Sequence, residues 1–253
     1  MARKLKSDRV LFTSTLLLVL SSIVMVYSAS AVLAFERFNQ PYLFVTRQLM
    51  WTVLGLGVMA FAMRVDYRSY RNEQVVWGLL GLVGLMLAAV LFSHPVNGTR
   101  RWFGIGGLGI QPSELAKIAC VLFTAMMLER RRDRINELSY SLPPLVLVTG
   151  AMVGLILLQP DFGTSMTLVA IVGLMVFSAG LHYRYLLIGL VLLVPLLTAI
   201  MIMEPYRMER LMVFLNPDRD PQGAGFQATQ SLIAVGTGGV FGRGLMAGVQ
   251  KLF

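Results

Sequence analysis

Between Arg9 and Glu36 the chain runs for 26 residues without a charge, VLFTSTLLLVLSSIVMVYSASAVLAF. Crossing the hydrocarbon of a bilayer takes about 20 largely apolar residues. In that medium the segment must satisfy every backbone N–H and C=O internally, which leaves a helix as the single-segment solution. A secretory leader has an apolar core of only about 7–15 residues. The run, preceded by the basic ARKLKSDR, therefore reads as a retained membrane anchor. Further apolar stretches follow at 48–63, 74–99, 111–128, 142–159, 162–181 and 185–203, and a weaker, glycine-rich eighth candidate starts at Gln227. Charged residues make up only 14% of the chain, against about 25% in soluble domains. The expected fold is an all-α, polytopic membrane bundle of seven to eight helices, forming a single domain over 1–253 with no internal repeat.

A net charge of +9 would suggest nucleic acid in a soluble protein. Here the basic residues sit in short clusters between apolar runs, so nucleic acid is not the expected partner and the lipid bilayer is. With the N-terminus inside, the inner segments carry 12 Lys/Arg against 7 outside. The positive-inside rule therefore favours a cytoplasmic N-terminus. After seven spans the polar segment 204–226 then becomes a large extracytoplasmic loop. The lone Cys120 lies in an apolar run, reads as a small buried hydrophobe and identifies no redox compartment.

Ionisable groups at membrane depth are costly and mark candidate sites. Glu114 and Lys117 in QPSELAKIA are three apart, share a helix face and can pair, with Ser113 as a possible cap of that helix. Arg100 and Arg101 in NGTRRWFG suit an anionic headgroup. Trp102 beside them is equally a membrane-interface residue. Asp161 in LLQPDFGTS stands where it would cap the sixth helix. The loop holds Arg207, Arg210, Asp218, Arg219 and Asp220, then PQGAGFQ. Proline and glycine fix a turn there, and a carboxylate among arginines can take a proton from a sugar hydroxyl while guanidinium groups hold a phosphate leaving group. Taken alone, a solvated connector is the plainer reading of the loop. His94 and His182 fall on opposite sides and cannot share a metal. GTGG…GRG lacks the Lys-Ser/Thr of a phosphate loop, so close helix packing is the expectation for its glycines.

Four motifs in order, YSAS, NGTRRW…QPSELAK, LLQPDFGTS and FLNPDRDPQGAGFQATQSLIAVGTGGVFGRGL…GVQK, closely resemble the FtsW/RodA/SpoVE (SEDS) family along the whole chain. Their wording is more similar to the FtsW/SpoVE branch than to the RodA branch. The resemblance implies a ten-span peptidoglycan glycosyltransferase of the bacterial cytoplasmic (inner) membrane. Such enzymes polymerise lipid II into β-1,4-linked glycan during cell division or other wall synthesis and release undecaprenyl pyrophosphate.

The resemblance further implies that Asp220, within the DPxGxG pattern, is the catalytic base, with Arg101, Trp102, Glu114 and Lys117 in the central cavity. Asp161 and Gln230 follow by the same matching, and Arg207 and Arg210 join them as substrate-binding candidates from the loop. No organic cofactor is expected; a divalent cation, Mg or Mn, would help the pyrophosphate leave. Expected partners are a class B penicillin-binding protein transpeptidase and other division proteins. Against this family the chain stops at GVQKLF, before a later PE…TDFIF segment, and reads as an N-terminal portion. A lipid II flippase built on Glu114 and Lys117, and a non-catalytic division scaffold, are the alternatives.

Overall fold

The computed structural model describes residues 8–95, 98–105, 108–202, 205–216, 222–223 and 225–250. Their helices are α1 (Arg9–Phe38), α2 (Leu43–Ala62), α3 (Glu73–Val90), α4 (Pro112–Arg130), α5 (Leu138–Leu157), α6 (Phe162–Ser178), α7 (Tyr183–Ile202), α8 (Pro205–Leu215) and α9 (Phe226–Gly238). A small antiparallel hairpin, β1 (Phe103–Ile105) and β2 (Leu108–Ile110), pairs Phe103 with Ile110 ahead of α4. Each of the seven expected spans coincides with a helix. Four of these, α1, α2, α3 and α5, are long and apolar enough to cross a membrane by length and composition. α6 and most of α7 are apolar but shorter.

Several boundaries differ from the sequence expectation, each for a local reason. α3 stops at Val90, not near 99; Pro95 disfavours helix at the residue before it, and the chain beyond turns toward the hairpin. α9 has 13 residues, about 20 Å of rise at 1.5 Å each, short of a full crossing. Its glycines do not mark close packing: a Cβ built on Gly236 or Gly238 meets nothing within 4 Å among the described residues. Gly239, Gly242 and Gly244 instead have positive φ of 57°, 69° and 97°, a region glycine enters without steric cost; Gly239 ends the helix and the other two lie in the non-helical segment that follows. Residues 205–215, expected within a loop, form α8.

By internal packing the chain divides into two units, Met1–Arg64 with Leu197–Phe253, and Val65–Leu196. In the first, α1 and α2 pack side by side. The Tyr27 and Tyr42 rings stack at 5.7 Å, and Gln48 donates to the Ser22 hydroxyl at 3.2 Å. Asp8 opens α1 by accepting from the backbone N–H of Val10 and Leu11 at 2.9 and 3.1 Å.

In the second unit α4 is the hub, packing on α3, α5 and α6. Val76, Leu80, Val83 and Leu87 form one stripe of α3 and meet Ala116, Ala119, Cys120 and Phe123 of α4. Small residues let the helix axes approach, and Phe123 fills the space, edge-on to Trp77 at 5.3 Å. Cys120 is fully buried in this core, as its apolar setting predicts. α5 begins at Leu138, so Pro143 and Pro144 lie inside it and not in its first turn. Pro144 has no N–H for the carbonyl of Tyr140, one turn back. The guanidinium of Arg131 donates to that carbonyl instead and lies 4.5 Å over the Tyr140 ring.

Candidate functional site

Arg101 and Asp161 lie at the junction of α5 and α6, and all the candidates from Arg100 to Asp161 belong to the second unit. The two arginines of the TRRW stretch act there as helix caps. Arg100 Nη1 donates to the carbonyl of Leu91, the C-cap residue of α3, at 3.1 Å. Arg101 reaches the carbonyls just past α5, donating from Nε to Gln159 at 2.8 Å and from Nη2 to Pro160 at 2.5 Å. Helix C-termini present unpaired carbonyls and partial negative charge, so a planar guanidinium is well matched to them. Both arginines thus hold the backbone, and the Nη1 group of Arg101 makes no such bond among the described residues.

Asp161 caps α6, as its position suggested. Its Oδ1 accepts from the Thr164 backbone N–H at 3.2 Å, and its Oδ2 accepts from the Thr164 hydroxyl and from Gln111 Nε2, both at 2.9 Å. The residue is 7% exposed. Gln111 is the residue on which α4 starts, so one carboxylate ties the beginnings of α4 and α6 together. Ser113 does not cap α4: Pro112 occupies the first turn, and the Ser113 hydroxyl is buried with no partner among the described residues. Gln159, fully buried, donates to the Leu87 carbonyl at 3.1 Å, while its Oε1 has no partner among the described residues. A cleft of about 520 Å³ opens beside it, with Thr99, Arg100 and Pro160 in its wall.

Lys117 Nζ and Glu114 Oε2 form the expected pair at 2.8 Å. It lies on the face of α4 turned away from the core lined by Ala116, Ala119 and Cys120. The Trp102 ring lies over Gly109 in the hairpin: a Cβ on Gly109 would come within 3.0 Å of the ring Cε3. That close approach explains why glycine stands there. Gln111, Gln159 and Gly109 were not singled out from sequence, although the two glutamines each precede a proline at a helix boundary.

The remaining candidates belong to the first unit. Arg207 and Arg210 are on α8, and Arg210 is exposed. Gln230 is half-buried on α9, its Oε1 without a partner among the described residues. Asp218, Arg219 and Asp220 lie outside the described residues. Among the described residues no three His, Cys, Asp or Glu side chains gather as a cation site, so a divalent cation stays an expectation attached to the loop.

Comparison with known proteins decides the family. The FtsW/RodA/SpoVE profile, described as cell cycle protein, matches residues 8–253. The chain belongs to the FtsW/RodA/SpoVE family. It is 36% identical to the probable peptidoglycan glycosyltransferase FtsW of Geobacter sp. (strain M18), over 97% of this chain and 67% of that protein. It is 38% identical to the stage V sporulation protein E of Bacillus subtilis, over 99% and 69%. Among solved structures it is similar to a chain of a peptidoglycan synthase complex that coordinates polymerization and crosslinking (33% identity, TM-score 0.65, 87% of this chain and 65% of that one). It is also similar to the rod shape determining protein RodA of Thermus thermophilus (26% identity, TM-score 0.51, 94% and 93%). The chain spans 65% to 67% of the length of the first curated FtsW relatives. As a member of this family it is a multi-pass helical membrane protein, and the arginine caps and the Asp161 clasp are features of its second unit.

Proposed function

We propose that the protein to which this chain belongs is a peptidoglycan glycosyltransferase that polymerises lipid II into β-1,4-linked glycan and releases undecaprenyl pyrophosphate. The observation that carries this reading is the match along essentially the whole chain to proteins named peptidoglycan glycosyltransferase FtsW, together with the intact Asp220-Pro221-Gln222-Gly223-Ala224-Gly225 pattern. In this reading Asp220 takes the proton from the acceptor 4-hydroxyl as the new glycosidic bond forms, and the pyrophosphate leaves with the bonding pair. Arg207 and Arg210, beside the DPxGxG pattern in sequence, are the cations proposed for the pyrophosphate. Arg101, Trp102, Glu114, Lys117 and Gln230 are further substrate-binding candidates by motif, and Asp161 would act by holding α4 against α6. Support for a cytoplasmic N-terminus in the bacterial inner membrane comes from 12 inner against 7 outer Lys/Arg. A class B penicillin-binding protein is the proposed partner, in keeping with the likeness to a synthase complex that polymerises and crosslinks.

The test is polymerisation of labelled lipid II by the purified protein carried at the length of its relatives. Glycan strands are the expected product; lipid II moved across liposomes without any glycan would favour a flippase, and neither activity a scaffold.

A further inference from the structure

α8 carries an apolar stripe that the fold leaves uncovered. Met208, Leu211, Met212 and Leu215 recur at the i, i+3, i+4, i+7 spacing of one helix face. Among the described residues of this helix Val213 is the buried one, 8% exposed. At about 100° per residue Val213 lies roughly 150° round from the centre of the stripe. Protein therefore packs on the Val213 side, and the stripe looks outward, with Leu211 38%, Met212 40% and Leu215 70% exposed.

What covers such a face follows from where the helix begins. α7, an apolar helix, ends at Ile202 and α8 starts at Pro205. Three Cα steps reach at most about 11 Å, so α8 starts close to where α7 leaves the apolar layer. In water the stripe would be an exposed hydrophobic row on a short helix. At the boundary between headgroups and acyl chains it is buried. We infer that α8 is an interfacial helix whose Met208–Leu211–Met212–Leu215 face is seated in the bilayer surface on the side where α7 emerges. The occupant is lipid, and the inference is independent of the reaction proposed above.

Single cysteines at Met208, Leu211, Met212, Leu215 and Glu209, in a Cys120→Ala background, test this in the full chain in phosphatidylcholine–phosphatidylglycerol vesicles. Each is labelled with an environment-sensitive fluorophore, and lipids brominated on the upper acyl chain serve as quencher. The four stripe positions are expected to emit to the blue and to lose most of their emission to the brominated lipid, while the Glu209 label keeps its own. Equal quenching at all five positions, or none at any, overturns the inference. So does a blue-shifted stripe that brominated lipid fails to quench, which would mean a protein partner covers it. If Cys120→Ala does not fold, the buried native Cys120 is left in place, and if Leu215→Cys does not fold, Leu211 and Met212 carry the test.

Discussion

Gln111 donates its side-chain amide to Asp161 Oδ2 at 2.9 Å, joining the N-cap residue of one helix to that of another 50 positions later. The carboxylate also accepts from both the backbone and the hydroxyl of Thr164. Asp161→Ala removes the cap and leaves three half-buried donors without their acceptor, a loss of about 1–3 kcal/mol. Asp161→Asn keeps an oxygen for Thr164 and should fall between Ala and wild type. Thermal unfolding in detergent or nanodiscs reads the order; an Asp161→Ala protein as stable as wild type would refute a clasp at this position.

The fork of Arg101 onto the carbonyls of Gln159 and Pro160 cannot be reproduced by a single ammonium group. Arg101→Lys and Arg101→Ala should both loosen the α5–α6 junction. Hydrogen exchange at the amides of 158–164 is the measurement, with faster exchange expected in the order Ala, Lys, wild type. Unchanged exchange in Arg101→Ala would leave Arg101 as a substrate ligand alone.

Lys117 and Glu114 are side-chain exposed by 27% and 56%, so the pair contributes no more than about 1 kcal/mol to stability. Lys117→Met should therefore fold normally, and any large loss of polymerisation must come from lost contact with substrate. Loss of lipid II scrambling, with polymerisation intact, would assign the pair to transport instead.

Asp220→Ala should lower polymerisation by about 10²–10⁴-fold, the usual worth of a positioned general base. Asp218→Ala should cost far less. Both variants should unfold at the wild-type temperature. If Asp220→Ala makes glycan at the wild-type rate, the base is another residue.

The Arg131 guanidinium occupies the Tyr140 carbonyl that Pro144 leaves without its helical donor. Arg131→Met strands that carbonyl, and α5 should fray from its first turn. Limited proteolysis between Glu137 and Ser141 would reveal it, and an equally resistant variant would mean the carbonyl finds water.

Seven apolar runs were legible in the sequence because a bilayer permits so few answers: a charge-free run such as 10–35 must be helical. Of the two caps expected, Asp161 opens α6, whereas Ser113 is buried behind Pro112 and caps nothing. The Glu114–Lys117 pair is also local, set by helical spacing alone. The family, too, could be read from four short motifs without coordinates. Only the tertiary structure decided that Arg100 and Arg101 hold helix ends and that Gln111 meets Asp161. It also set the Trp102 ring over Gly109 and turned the stripe of α8 outward. Those relationships join residues that a one-dimensional pattern treats as independent. A guanidinium or an amide can satisfy a headgroup or a carbonyl equally well, and only the packing of the chain brings one partner within reach.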